Sequence, residues 1–297
     1  MAVMSQTTEG AAPAAASNPE WLKLGTNKFP THATELQDLI RAAVAREIPE
    51  SNISAFSFNC ELAGPDLPQV AIDMSGWQVP IPGMGEYVSP FDKPEAPQTV
   101  NLVPGMAQQV DLRAEPLEFG GCPITINAAF QNLPLAWHTL DSAELALGFA
   151  EDPVADAPPR TGKFSIEFPA QRLGEAFLDA FNQLPDYSKV EFYRLLVRCA
   201  QPAADAFEIT ASCRVRYKIF RVRLGIVISG RLNPNGILTI DRISLRGSNL
   251  IVRMFTGIMR RELEKTYDLN EGLPAGSRLS NLHFVAGENI KVSGDIA

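Results

Sequence analysis

The alternation of apolar and polar positions is clearest toward the C-terminus. From 207 to 219 every odd position is apolar or aromatic (Phe207, Ile209, Ala211, Cys213, Val215, Tyr217, Ile219) and every even one is polar or charged. Period two over that length predicts a strand with one buried face. After a turn near Phe220 the phase reverses, so that Val222, Leu224, Ile226 and Ile228 point inward from a second strand. Asn233-Pro234-Asn235-Gly236 marks a turn, and residues 237–246 read as a third strand whose phase slips near Asp241, as at a bulge. The spacing then predicts a helix over 250–267, with Ile251, Phe255, Ile258, Met259 and Leu263 on its apolar face. A closing hairpin pairs 279–285 with 289–296 across Ala286-Gly287-Glu288.

Upstream the pattern is more varied. Residues 1–20 are rich in Ala, Ser, Thr, Pro and Gly with no apolar period, so 1–25 reads as a disordered or partner-ordered tail. Leu36, Leu39, Ile40, Ala43, Val44 and Ile48 recur at three and four, an amphipathic helix stopped by Pro49, with a short strand expected within 53–62. Eight prolines between 64 and 104, interleaved with Trp77, Tyr87 and Phe91, predict an irregular excursion with at most short edge strands. Those three aromatics either form a docking surface or pin the loop to the core. Strands resume at 110–121 and continue through PITINAAF and SAELALGF, and after a second Pro-rich loop at 153–159 residues 164–168 read as a strand. A helix follows with Leu173, Phe177, Leu178, Phe181 and Leu184 on one face, then a second helical stretch over 187–198. The fold class this implies is α+β, antiparallel strands with one apolar face covered by amphipathic helices. Residues 26–297 are expected to form one domain with a Pro-rich insertion at about 64–100.

Charge changes the picture locally. The net charge of −8 argues against a chain coated for nucleic acid, and no base-reading module is visible. Yet residues 1–200 carry 12 basic and 25 acidic side chains, whereas 201–297 carry 14 and 9. Five of those cations, Arg214, Arg216, Lys218, Arg221 and Arg223, fall on one hairpin. They are either a solvated face paired with carboxylates such as Glu208 and Asp241, or a contact for phosphate headgroups or an acidic protein.

Candidate chemistry is sparse. The four cysteines at 60, 122, 199 and 213 have no zinc-ligand spacing and read as buried free thiols. With only His32, His138 and His283, a histidine metal site would have to draw on distant segments, and His283, between inward Leu282 and Phe284, should face solvent. GxSxG, HExxH, P-loop and dinucleotide glycine patterns are absent, so the chain reads as a non-enzyme without cofactor or metal. The first twenty residues show no basic then apolar leader, which reads as a cytoplasmic, soluble chain, and the Asn52-Ile53-Ser54 sequon reads as chance.

The stretch GLPAGSRLSNLHFVAGENIKVSGDI, at 272–296, resembles the closing signature of the LmeA-like phospholipid-binding family, a "lP-x-G-x-R-l" turn leading to a hairpin that ends in "v-x-G". Pro274, Gly276, Arg278 and Gly294 occupy the matching places. NLVPGMAQQVDLRAEPLEFGG, at 101–121, is similar to the family's "ll-x-G" turn and following strand, and the resemblance extends over most of 31–296. It implies a tubular lipid-binding type of fold, a curved sheet wrapped around amphipathic helices, and binding of phospholipid without catalytic residues. Phe177, Phe181, Phe255, Ile258 and Met259, expected first as core, would then wall an apolar groove for an acyl chain. The basic strand residues would sit near the headgroup. Many family members are exported or anchored, and the absence of a leader here is as expected of a cyanobacterial branch. That leaves a second expectation open: a structural or linker subunit docked into a larger assembly, for example a photosynthetic complex, through the N-terminal tail and the Pro/aromatic loop.

Overall fold

A computed structural model describes residues 21–48, 50–80, 99–149, 158–182, 190–217, 220–246, 266–273 and 277–297. The fold is α+β and dominated by sheet, with two open sheets among the described residues. Helix α1 (Ala33–Glu47) follows the three-and-four spacing. Glu35 reaches back to the Thr31 N–H (2.9 Å), and the helix ends at an extended Ile48 ahead of Pro49, as the residue before proline requires. A single turn, α2 (Glu50–Ile53), precedes β2 (Ser57–Cys60).

The first sheet is built on a long hairpin, β5 (Thr99–Phe119) and β6 (Cys122–Leu140), closed by Gly120 and Gly121 at positive φ. On one side of β6 lies β8 (Thr161–Pro169), then the C-terminal hairpin β14 (Leu279–Ala286) and β15 (Asn289–Ile296). On the other, β3 (Leu67–Asp73) pairs with β5 and β2, and the two-residue β4 (Gln78–Val79) joins β5. The far end of β6 pairs with β7 (Leu145–Phe149), which pairs with β1 (Leu22–Lys23). Both β3 and β4 run parallel to β5, so this sheet is mixed rather than antiparallel throughout.

Two expectations fail here. Residues 64–80 are not confined to the edge: β3 is flanked by strands on both sides, and its parallel register steps from Leu67–Ala107 to Gln69–Gln109 over Pro68. The density of prolines conceals the buried pair Leu67 and Val70 that anchors this strand. Nor does the tail reach 25, because Trp21 stacks on His138 (centroids 4.1 Å), Leu22–Lys23 is β1, and Leu24 is buried. A two-residue strand is too short to carry a period.

The main core lies between α1 and this sheet, where Leu36, Ile40 and Ala43 meet Phe56, Leu67, Val70 and Val110. Trp137 is fully buried beside them and donates through Nε1 to the Pro65 carbonyl (2.8 Å). Asn52 is also buried, and its amide both donates to the Gln78 carbonyl (3.0 Å) and accepts from the Gln78 N–H (2.8 Å). The sequon asparagine is thus a structural clamp.

The second sheet runs β13-β12-β11-β10-β9, formed by β9 (Val190–Ala203), β10 (Ala206–Tyr217), β11 (Phe220–Leu232), β12 (Ile237–Arg246) and β13 (Thr266–Asp268). From Val190 onward strand β9 replaces the helix expected over 187–198, whose first three residues lie outside the described set. Its register on β10 shifts between Ser212 and Arg214, and Arg194 there takes φ 54, a bulge that sets the apolar residues 192, 195, 197 and 199 at uneven spacing. That spacing imitates a helix face. The slip expected near Asp241 is real: Ser229 pairs with Arg242 but Gly230 with Ile240. The proposed helix at 250–267 falls mostly outside the described residues, and its end, Thr266 and Tyr267, belongs to β13.

Helix α3 (Ala170–Asn182) lies against β9 through two side-chain amides. Gln171 donates to the Leu195 carbonyl (2.8 Å) and accepts from the Val197 N–H (2.7 Å), and Asn182 bridges Phe192. A third amide, Gln201, joins the sheets by donating to the Phe284 carbonyl (2.7 Å), next to the Phe207–Phe284 ring contact (5.7 Å).

Candidate functional site

Alternation on β10 assigns each side chain a face. Phe207 and Val215 are buried, while Glu208, Arg214 and Arg216 are exposed. The antiparallel register then aligns the cations of neighbouring strands. Arg214 lies directly opposite Arg223, and Arg216 directly opposite Arg221, giving four exposed guanidiniums in two adjacent cross-strand rows. Residues directly opposite have Cβ atoms roughly 5 Å apart, where like charges oppose the pairing.

Carboxylates offset this only in part. Glu191, opposite Arg216 on β9, forms an ion pair with it. Asp241, expected among the partners of the cluster, sits in the β12 bulge and holds Arg231 instead, in a bidentate pair at 3.0 Å. Glu208 lies three rows away from Arg214 along β10, about 20 Å at the usual strand rise. Among the described residues Arg214, Arg221 and Arg223 have no ion-pair partner.

The face is wider than the hairpin. Arg198 on β9 aligns with Thr210, and Arg242 on β12 with Ser229, both exposed on the same side. Leu196, opposite Ser212, is 58% exposed one row from Arg214, and Gly225 completes that row without a side chain. Sequence reasoning missed Arg198 and Leu196 because β9 was read as helix. Within 195–199 only Arg198 is polar, so the local pattern carried little signal for a strand.

The other candidate residues are not brought together among the described residues. Phe177 is 43% exposed on α3, its ring edge-on to Phe119 (6.3 Å). The side chain of Phe181, and residues Phe255, Ile258, Met259, Lys218, Tyr87 and Phe91, lie outside the described set. Trp77 is half-buried against Phe56 (5.7 Å) and packs on the core under α1, the second of its two expected roles.

A separate shallow trough of about 680 Å³ crosses the face of the first sheet opposite α1. Asp73, Asp111, Arg113, Asn127, Lys163 and Ser165 line it. Glu115 beside it accepts from Asn127 (2.7 Å) and Arg113 (2.6 Å), and these bonds, Asn127 first, hold its carboxyl below the usual range. Bonds from Ser75 do the same for Asp73. All four cysteines are free, and burial pushes each thiol up, away from the reactive thiolate. Among the described residues no three His, Cys, Asp or Glu side chains are grouped to hold a metal ion, and no helix is long and apolar enough to cross a membrane. No family model, curated protein or solved structure matches the chain.

Proposed function

We propose that this is a non-enzymatic, membrane-peripheral protein that binds anionic phospholipid through the arginine face of its second sheet. The observation that carries the reading is the pair of like-charged rows, Arg214 with Arg223 and Arg216 with Arg221, against a single neighbouring carboxylate among the described residues. A phosphate seated between two guanidiniums relieves their repulsion and accepts forked hydrogen bonds, for which arginine is better suited than lysine. Basic residues near an anionic membrane each contribute about 1 kcal/mol, so a face of this size suffices for reversible attachment.

The reverse face of the same sheet, away from the arginines, is apolar. It presents Ile209, Val222, Leu224, Ile226 and Ile228, all half-buried, with α3 and Phe177 alongside. The resemblance of the C-terminal turn and hairpin sequence to the LmeA-like family supports phospholipid binding.

Vesicle co-sedimentation tests the proposal. The full chain should pellet with phosphatidylglycerol-containing vesicles at low salt and be released at high salt, and it should stay in solution with phosphatidylcholine. Equal pelleting with both vesicles, or none with either, would overturn it. In the latter case an acidic protein takes the place of the lipid as partner of the same arginines.

A further inference from the structure

The geometry points to a ligand with two phosphodiesters, the diphosphatidylglycerol type of lipid, on the arginine quartet, an inference that rests on the headgroup reading above. Arg214 and Arg216 are two residues apart on β10, as are Arg221 and Arg223 on β11, so the two rows are separated by about 6.8 Å along the strands. Each row holds two guanidiniums from neighbouring strands, enough to clamp one phosphate.

Ligand chemistry then discriminates. A lipid with one phosphodiester fills one row and leaves the other row of like charges unrelieved. A pyrophosphate places its phosphorus atoms on one shared oxygen, too close together to reach both rows. Two diesters joined through a three-carbon glycerol bridge span the rows when the bridge is near extended. The charges also suit this ligand. Among the described residues, four guanidiniums and the Glu191 carboxylate leave an excess of positive charge to meet two monoanionic phosphates. The adjoining row is shaped for the apolar part, since Leu196 is exposed there and Gly225 opposite Ser212 leaves the surface low.

The test compares vesicles of diphosphatidylglycerol and phosphatidylglycerol in phosphatidylcholine, matched for total phosphate charge, with soluble glycerol 1,3-bisphosphate as competitor. The full chain should bind the diphosphatidylglycerol vesicles about tenfold more tightly, and Arg223→Lys, which keeps the charge but loses the fork, should reduce that preference to near unity. Thermal unfolding of the variant, expected to match the wild type at this exposed position, serves as the folding control. Equal affinity for the two vesicles at matched charge would overturn the inference and leave the anionic-headgroup reading standing. Failure to bind either would overturn both. Complete competition by glycerol bisphosphate at equal phosphate concentration would also overturn it, by assigning the quartet to a soluble bisphosphate.

Discussion

The side-chain amide of Asn182 behaves toward Phe192 as a strand neighbour would, donating to its carbonyl at 2.8 Å and accepting from its N–H at 2.9 Å. The C-terminal end of α3 is thereby tied to β9 close to the bulge at Arg194. Replacing Asn182 with Ala removes both of these hydrogen bonds, at a cost of about 1–3 kcal/mol. A lower urea midpoint with an unchanged slope is the expected result, and Asn182→Asp, which keeps the acceptor but not the donor, should fall between Ala and the wild type.

Gly230 marks a place where the second sheet admits no side chain. A Cβ there would lie 2.3 Å from the Thr239 carbonyl oxygen and 2.8 Å from the Phe207 ring. The oxygen belongs to the backbone of β12 beside its bulge and has no rotamer by which to move away. Gly230→Ala should therefore cost more than an ordinary surface change, about 3 kcal/mol or more. Thermal unfolding measures it, and Gly287→Ala, in the open turn of the last hairpin with nothing nearer than 3.8 Å, is the matched control.

His138 gives the protein a pH dependence of defined sign. It is buried and stacked on Trp21, its Nδ1 meets the Thr99 hydroxyl (3.1 Å), and its Nε2 has no partner among the described residues. Burial pushes its pKa below the ordinary histidine value. Above about pH 6.5 the ring is neutral in both folded and unfolded chains and its contribution is complete. As the pH falls below that value the unfolded chain takes up the proton first, so stability declines until the folded state protonates as well. Urea midpoints should fall between pH 7.5 and 5, and His138→Phe, which keeps the stack, should flatten that slope.

Glu191 pairs with Arg216, so under the proposed headgroup contact it would compete with phosphate for that guanidinium. Glu191→Gln should strengthen binding to anionic vesicles by a few-fold and steepen its salt dependence, because one more guanidinium becomes available. Stability should change by less than about 1 kcal/mol, as for exposed ion pairs generally. Weaker vesicle binding by the variant would show that Arg216 acts only as a partner to β9.

Where the alternation ran unbroken, the sequence was sufficient. The strands at 207–217 and 220–232 are legible because a period of two with one buried face admits a single register of side chains, while the Asp241 bulge shows as a slip within a strand and the closing hairpin is marked by its turn. Exposed His283 between Leu282 and Phe284 follows from the same rule. Where a bulge interrupts the period, as at Arg194, the pattern reads as helix. Pairing with β10 and the amides of Gln171 and Asn182 on α3 decide for strand, and both partners lie outside the local window.

The cluster at 214–223 is thus determined by sequence as far as its charge, its strands and its outward face. What tertiary structure decides is its company. Register sets Arg223 against Arg214 and Glu191 beside Arg216 and places Arg198 and Leu196 on the same surface, while Asp241 is turned to Arg231. The reason is physical: facing follows from backbone periodicity within one strand, but neighbours across a sheet are fixed by hydrogen-bond registers between segments distant in the chain.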